Sequence, residues 1–156
     1  IAPLRDDIRD IFDIKICGIH NMPHLFKGNK TEKEITNVVL SAIDSQDRPF
    51  DVLVHPCYRS LPTDIELIVK RCAEKNIAVE LNNSSLKYKK NDAYLTQKML
   101  DSAVKYNCPV AVGTDAHTAN EVGVFEEALQ MLSEIDFPIS LVVNRTIADL
   151  KTFLKK

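Results

Sequence analysis

Glycine is scarce. The chain of 156 residues has four, at positions 18, 28, 113 and 123, and they do not form the spaced cluster that lets a backbone wrap a dinucleotide pyrophosphate. A glycine-fingerprint dinucleotide fold is therefore excluded. No apolar run approaches the roughly 20 residues that a membrane span needs, and no signal-peptide pattern is present. The four cysteines (Cys17, Cys57, Cys72 and Cys108) are scattered without a Cys-x-x-Cys pair, which reads as reduced, mostly buried thiols in a cytoplasmic protein. Charge of neither sign dominates: 20 basic against 22 acidic residues give a net charge of -2, so nothing indicates attraction to nucleic acid or to a membrane. No low-complexity segment or linker interrupts the sequence. With 45% hydrophobic residues, it reads as a single domain with a sizeable core. It opens on Ile1 and lacks an initiating methionine, so a piece of something longer is the expectation.

What is present is a repeating alternation. Short β-branched apolar runs at residues 13–19, 51–55, 77–82, 109–114 and 139–143 read as strands. Between them lie helical periods. Residues 31–44 carry Ile35, Val38, Val39 and Ala42 on one stripe, behind a Thr31/Glu34 capping box. Residues 62–75 carry Ile65, Ile68, Val69 and Cys72, with Leu61 or Thr63 as cap. Residues 91–106 carry Leu95, Met99, Leu100 and Ala103. A helix opened by Thr118 or Asn120 carries Val122, Phe125, Leu129 and Leu132. Thr146 caps a terminal helix, residues 3–12 read as a short first helix, and residues 83–90 read as a polar loop. Strands recurring every 26–38 residues with helices between them predict consecutive βα units on a parallel sheet. Such units build an open sheet or part of a TIM-like barrel, and polar residues at several strand ends favour the barrel.

The strand ends carry the chemistry. His20, His55, Asn82 and Asp115 stand at C-terminal strand ends, with His117 just beyond the last. Parallel strands lie about 4.8 Å apart, so these side chains can converge, and imidazoles with a carboxylate suit Zn, Fe or Mn. Asp115 and His117, two residues apart in extended chain, share a face and are the candidate catalytic pair. With His20 inward, Gly18, Ile16 and Ile14 share its face; with Asp115 inward, Gly113 and Ala111 leave room beneath a site. Glu80 turns inward beside Asn82, either as an acceptor that orients a ligating histidine or as a member of an ordinary buried ion pair. Cys57 either joins His55 on a metal or packs in the turn after Pro56. His24 reads as a loop histidine. Arg59, the candidate substrate-binding residue, lies with Lys27, Lys87, Lys89 and Lys90 in loops where an anionic substrate would approach, or where solvent would.

These segments resemble the polymerase and histidinol phosphatase (PHP) family of phosphoesterases, in particular its small bacterial phosphatases. The match is carried by Gly18-Ile-His20, Asp51-Val-Leu-Val-His-Pro56, Val79-Glu-Leu-Asn-Asn-Ser-Ser85 and Gly113-Thr-Asp-Ala-His-Thr118, followed by Val122-Gly-Val-Phe125. The resemblance implies a distorted (β/α)7 TIM-like barrel with up to three divalent metals (Zn, Mn or Fe) at its rim. It implies that His20 and His55 share one metal, with Asp115 on a second and His117 on a third. A metal-bound hydroxide would attack a phosphorylated small molecule. The family's His-x-His pair, two further histidines and a bridging glutamate precede the matched region. The expectation is therefore the C-terminal portion of such a barrel, binding fewer metals weakly, inactive alone, and needing the missing N-terminal segment or a second copy to cover Ile14, Ile16, Leu53 and Ala111. An amidohydrolase-type metal hydrolase and a non-catalytic degenerate scaffold remain alternatives.

Overall fold

The computed structural model describes residues 11–20, 31–45 and 50–155. Four strands form one parallel sheet in chain order: β1 (Ile16–Gly18), β2 (Val52–Val54), β3 (Ala78–Asn82) and β4 (Val110–Gly113). Ile16 pairs with Val52 and Val52 with Ala78; on β4, Ala111 faces Glu80 and Gly113 faces Asn82. The expected fifth strand at 139–143 is not one. Ile139–Leu141 form a 3-10 turn, because Pro138 supplies no N–H to a ladder, and a lone parallel bridge joins Val142 to Val110. The architecture is thus α/β, a four-strand parallel sheet of βα units, with no reversal of strand order among the described strands.

The helices form where period and caps coincide. Helix α1 (Glu32–Ile43) opens on the expected capping box: the Thr31 hydroxyl accepts the Glu34 N–H and the Glu34 carboxylate accepts the Thr31 N–H. Helix α2 (Ile65–Glu74) is capped by Asp64, one or more residues later than Leu61 or Thr63, because Asp64 accepts the Leu67 N–H. The predicted loop after β3 instead holds a short helix, α3 (Asn83–Lys87), capped by Asn82. Helix α4 (Ala93–Tyr106) starts on Asp92 and ends on left-handed Asn107. Neither Thr118 nor Asn120 caps the next helix. Residues Ala119–Glu121 make a 3-10 turn, and α5 (Glu126–Glu134) begins only after Phe125, leaving Val122 and Leu129 exposed where the sequence stripe expected them inward. Helix α6 (Ile147–Leu154) has its expected Thr146 cap. The short first helix expected at 3–12 falls almost wholly outside the described residues, as do His24 and Lys27.

The two faces of the sheet differ. Cys17, Leu53, Val79, Leu81, Val110 and Val112 point to one face and pack against α1, α2, α4 and α5 in the main core, where Ile65, Ile68, Val69 and Cys72 are fully buried. Leu53 therefore belongs to the helix-covered face. Its expected inward, water-facing placement is corrected by its register opposite Cys17. On the other face, Phe153, Leu150 and Leu154 of α6 cover Val52, Ala78 and Ala111. The C-terminal half of that face is uncovered among the described residues, and Ile16 stands largely exposed there. No helix of the described residues is long and apolar enough to cross a membrane.

Candidate functional site

The uncovered half of the second face is an open cleft of about 650 Å3, lined by Ile16, Gly18, His20, Val54, His55, Glu80, Asn82 and the 114–116 turn. Two strands deliver their residues by plain alternation. Gly18 and His20 follow Ile16, and Asn82 follows Glu80, each two residues on. His55 does not fit that count. Val54 faces the cleft, and Val52 shares its side of the sheet beneath α6, so the next residue should point back into the helices. It reaches the cleft because its φ is +38°, and the following residue is Pro56. A left-handed non-glycine residue costs on the order of 1–3 kcal/mol, and a residue before proline is restricted further. Asp115 is also left-handed, with φ +49°. Backbone strain is thus stored at two of the four strand ends, where the chain turns a side chain into the cleft.

The two imidazoles meet. The rings of His20 and His55 lie 4.9 Å apart between centroids, edge to face at 72°, and Tyr58 covers another side of His55 at 4.7 Å. His20 is exposed, while His55 is only 8% accessible with a buried Nδ1 that finds no hydrogen-bond partner. Burial pushes the His55 imidazolium to lower pKa, the neighbouring His20 adds to this, and Asp115 opposes both. The neutral ring with an available lone pair is the form a metal needs. Glycine 18 is required by this packing: a methyl there would approach Val54 Cγ2 to 2.8 Å and His55 Cε1 to 3.0 Å.

Glu80 sits beneath. Its Oε2 accepts the His55 backbone N–H at 2.8 Å and the Asn82 side-chain N–H at 3.2 Å. Burial raises its pKa, while those two bonds work the other way. Glu80 therefore accepts from the histidine's backbone and not from its ring. Asn82 lines the cleft and caps α3, accepting the Ser85 N–H at 2.7 Å.

The remaining candidates lie apart. His117 is exposed and does not line the cleft. Its Nδ1 is 2.8 Å from the Asp115 carbonyl, which only accepts, so Nδ1 is the donor of that pair. Its backbone N–H goes to Glu121, which also accepts from Tyr88 Oη at 3.0 Å. Those bonds, the His117 N–H foremost, hold the Glu121 carboxyl at about 2 and tie the loop after β4 to the loop after α3. Arg59 is exposed, outside the cleft lining, and gives its guanidinium to the Asn91 carbonyl at 3.3 Å. Cys57 packs outside the cleft lining: its Sγ lies 3.6 Å from Met99 Sδ, and burial pushes the thiol up to about 12. All four cysteines are buried and unpaired. Among the described residues no group of three or more His, Cys, Asp or Glu side chains is gathered closely enough to hold a metal ion.

Sequence reasoning missed Tyr58, Glu121 and Asn83. Glu121 was signalled by its position four residues after His117. Asn83 was signalled only by its run of polar neighbours, and Tyr58 by nothing local, since its stacking depends on the turn at His55.

No family model matches the chain. It is 31% identical over 154 residues to a probable phosphatase of Clostridium novyi (strain NT), an alignment covering 97% of this chain and 61% of the relative. Identity to a probable phosphatase of Shewanella halifaxensis is 33% over 150 residues, 96% of this chain and 58% of that protein. A probable phosphatase of Caldanaerobacter subterraneus subsp. tengcongensis is 30% identical over 146 residues, 92% of this chain and 56% of the relative. The chain thus spans little more than half the length of these curated relatives. Relatives named probable phosphatases, alike over nearly the whole of this chain, point to a phosphatase family.

Proposed function

We propose that the chain is the C-terminal portion of a metal-dependent phosphatase of the PHP type, part of a distorted (β/α)7 barrel, that hydrolyses a phosphorylated small molecule. The observation that carries this reading is the meeting of His20 and His55 in one cleft with Glu80, Asn82 and Asp115, at the C-terminal ends of four successive parallel strands. Such strand ends are where βα barrels keep their chemistry, and a strand order that never reverses suits a barrel better than a doubly wound sheet.

The fit to a metal is partial. Two imidazoles and one carboxylate around the cleft suit Zn, Fe or Mn, and the unpartnered, neutral His55 ring is ready to give a lone pair. His20 and His55 would hold one ion, Asp115 a second and His117 a third. Further donors would come from the missing N-terminal segment or a second copy, which would also cover exposed Ile16. A bound ion supplies Lewis acidity and an activated water to a phosphate ester. The chain's own residues do the rest. Asp115 and His117 present a carboxylate and an imidazole on one turn, Glu121 steadies that turn, and Arg59 stands in an adjoining loop where an anionic substrate would pass. Four reduced thiols suit the cytoplasm.

The test is a titration of this chain with zinc and with manganese, paired with turnover of p-nitrophenyl phosphate and of a cyclic amide. Weak metal binding lost in His20→Ala and His55→Ala is expected, with any turnover confined to the phosphate ester. Turnover of the cyclic amide would favour the amidohydrolase alternative. Metal uptake indifferent to both histidines would leave the non-catalytic scaffold.

A further inference from the structure

We propose that Glu80 is a positioning residue: through the backbone N–H of His55 it holds that residue in the left-handed conformation that aims its imidazole into the cleft. The inference rests on the metal-site reading above.

The phase of β2 opposes the observed orientation of His55. Alternation alone would bury the His55 ring among the helices, since Val54 already faces the cleft. Turning the ring outward takes a positive φ at a residue followed by proline, a conformation the chain adopts only when its surroundings hold it. The bond from His55 N–H to Glu80 Oε2, at 2.8 Å, is a hold of the right kind, because it comes from the neighbouring strand and acts on the twisted peptide itself. The carboxylate is fixed in turn. Asn82 donates to the same oxygen at 3.2 Å, and its own amide is committed at the other end by capping α3.

Gly113 completes the device from β4. A methyl at that position would overlap Glu80 Oε1 and stand 3.1 Å from its Cδ. The slot exists only because β4 carries no side chain there. Gly18 clears the opposite side, and Tyr58 closes over the ring. Three strands thus converge on the orientation of one imidazole.

The experiment compares Glu80→Gln, Glu80→Ala and Gly113→Ala in the full chain. Each is read by equilibrium titration with zinc alone, by the His55 backbone 1H–15N resonance, and by thermal unfolding. Gln keeps a carbonyl oxygen for both N–H groups, so E80Q is expected to retain the downfield His55 amide and the wild-type zinc affinity. E80A is expected to lose that amide shift and bind zinc about 10- to 100-fold more weakly, the usual cost of removing a group that orients a ligand. Gly113→Ala leaves Glu80 in place but displaces its carboxylate. It should reproduce the E80A pattern, which keeps the proposal open to refutation if E80A does not fold.

Wild-type zinc affinity in E80A, with only the melting temperature lowered, would overturn the proposal by making Glu80 merely structural. Loss of zinc in E80Q as great as in E80A would overturn it by making Glu80 a ligand. If the wild-type chain takes up no zinc, the metal reading fails separately. The His55 amide then still decides, a shift kept in E80Q and lost in E80A supporting the hold and an unchanged amide in E80A refuting it.

Discussion

Replacing Asn83 with alanine tests how the strand-end region is tied to the helices. Helix α5 begins at Glu126 with Phe125 before it and has no side-chain cap of its own. Asn83 supplies one from 44 residues away in sequence: its Oδ1 accepts the Ala128 N–H at 2.9 Å, and its Nδ2 donates to Glu127 Oε2 at 2.9 Å. The side chain is almost fully buried, so water does not readily replace it. Losing a helix cap costs about 1 kcal/mol, and losing a hydrogen bond to a charged group costs about 1.5 kcal/mol. Asn83→Ala should therefore destabilise by about 2–3 kcal/mol, a fall of about 5–10 °C in Tm for a chain of this size. Urea unfolding followed by far-UV circular dichroism reads the difference. Asn83→Asp keeps the acceptor but sets a carboxylate against Glu127, so it should fall between wild type and N83A. A double-mutant cycle with Glu127→Ala isolates the side-chain pair. Should N83A unfold within about 0.5 kcal/mol of wild type, as an ordinary surface substitution does, the cap is idle and the argument fails.

Two further outcomes follow from other groups. The Glu121 carboxyl sits at about 2 in the folded chain, below its unfolded value near 4.3. Its contribution is therefore present above about pH 4.3 and lost as the pH falls towards 2. Protection of the residue 115–121 amides against exchange, measured relative to their intrinsic rates at each pH, should fall across that acid window in wild type, whereas Glu121→Gln should show low protection at all pH; wild-type protection that does not change with pH would sink the assignment. Cys57 and Cys108, both held at about 12 by burial, should resist a thiol-disulfide reagent at pH 8 until the chain is unfolded. Rapid labelling of either in the native chain would contradict their packing.

The sequence made the helix-facing half of the molecule legible because that half obeys single periods. Ile65, Ile68, Val69 and Cys72 repeat with the helix, and all four are fully buried. Thr31 with Glu34, and Thr146 with Asp149, cap locally and were readable from spacing alone. Legibility ended where a partner lies far along the chain. Val122 and Leu129 fit a helical stripe by count, yet the helix starts only at Glu126, so Val122 lies before it and Leu129 faces outward while Leu132 stays buried. Residues 139–143 look like a strand by composition, but Pro138 and the docking of Val142 on Val110 leave a turn and a single bridge.

The candidate site shows the same boundary within a single residue. His20 follows from parity, because it continues the face of Gly18 two places before it, whereas Asp115 reaches the cleft through a left-handed turn. His55 was placed with them on the strength of standing at a strand end, and the cleft does contain it, but for a reason that alternation does not provide. Counted forward from Val54, parity would point it to the other face, and counted back from His55, parity misplaced Leu53, which by register belongs under the helices. The error comes from one omission. Counting by twos has no term for a left-handed residue, and His55 is left-handed because Glu80, on the next strand, holds its N–H. A pattern in one strand cannot encode a bond that another strand supplies. Local rules are therefore expected to fail at strained, cross-strand positions first, and such positions gather where a fold holds a functional group against its preferred conformation.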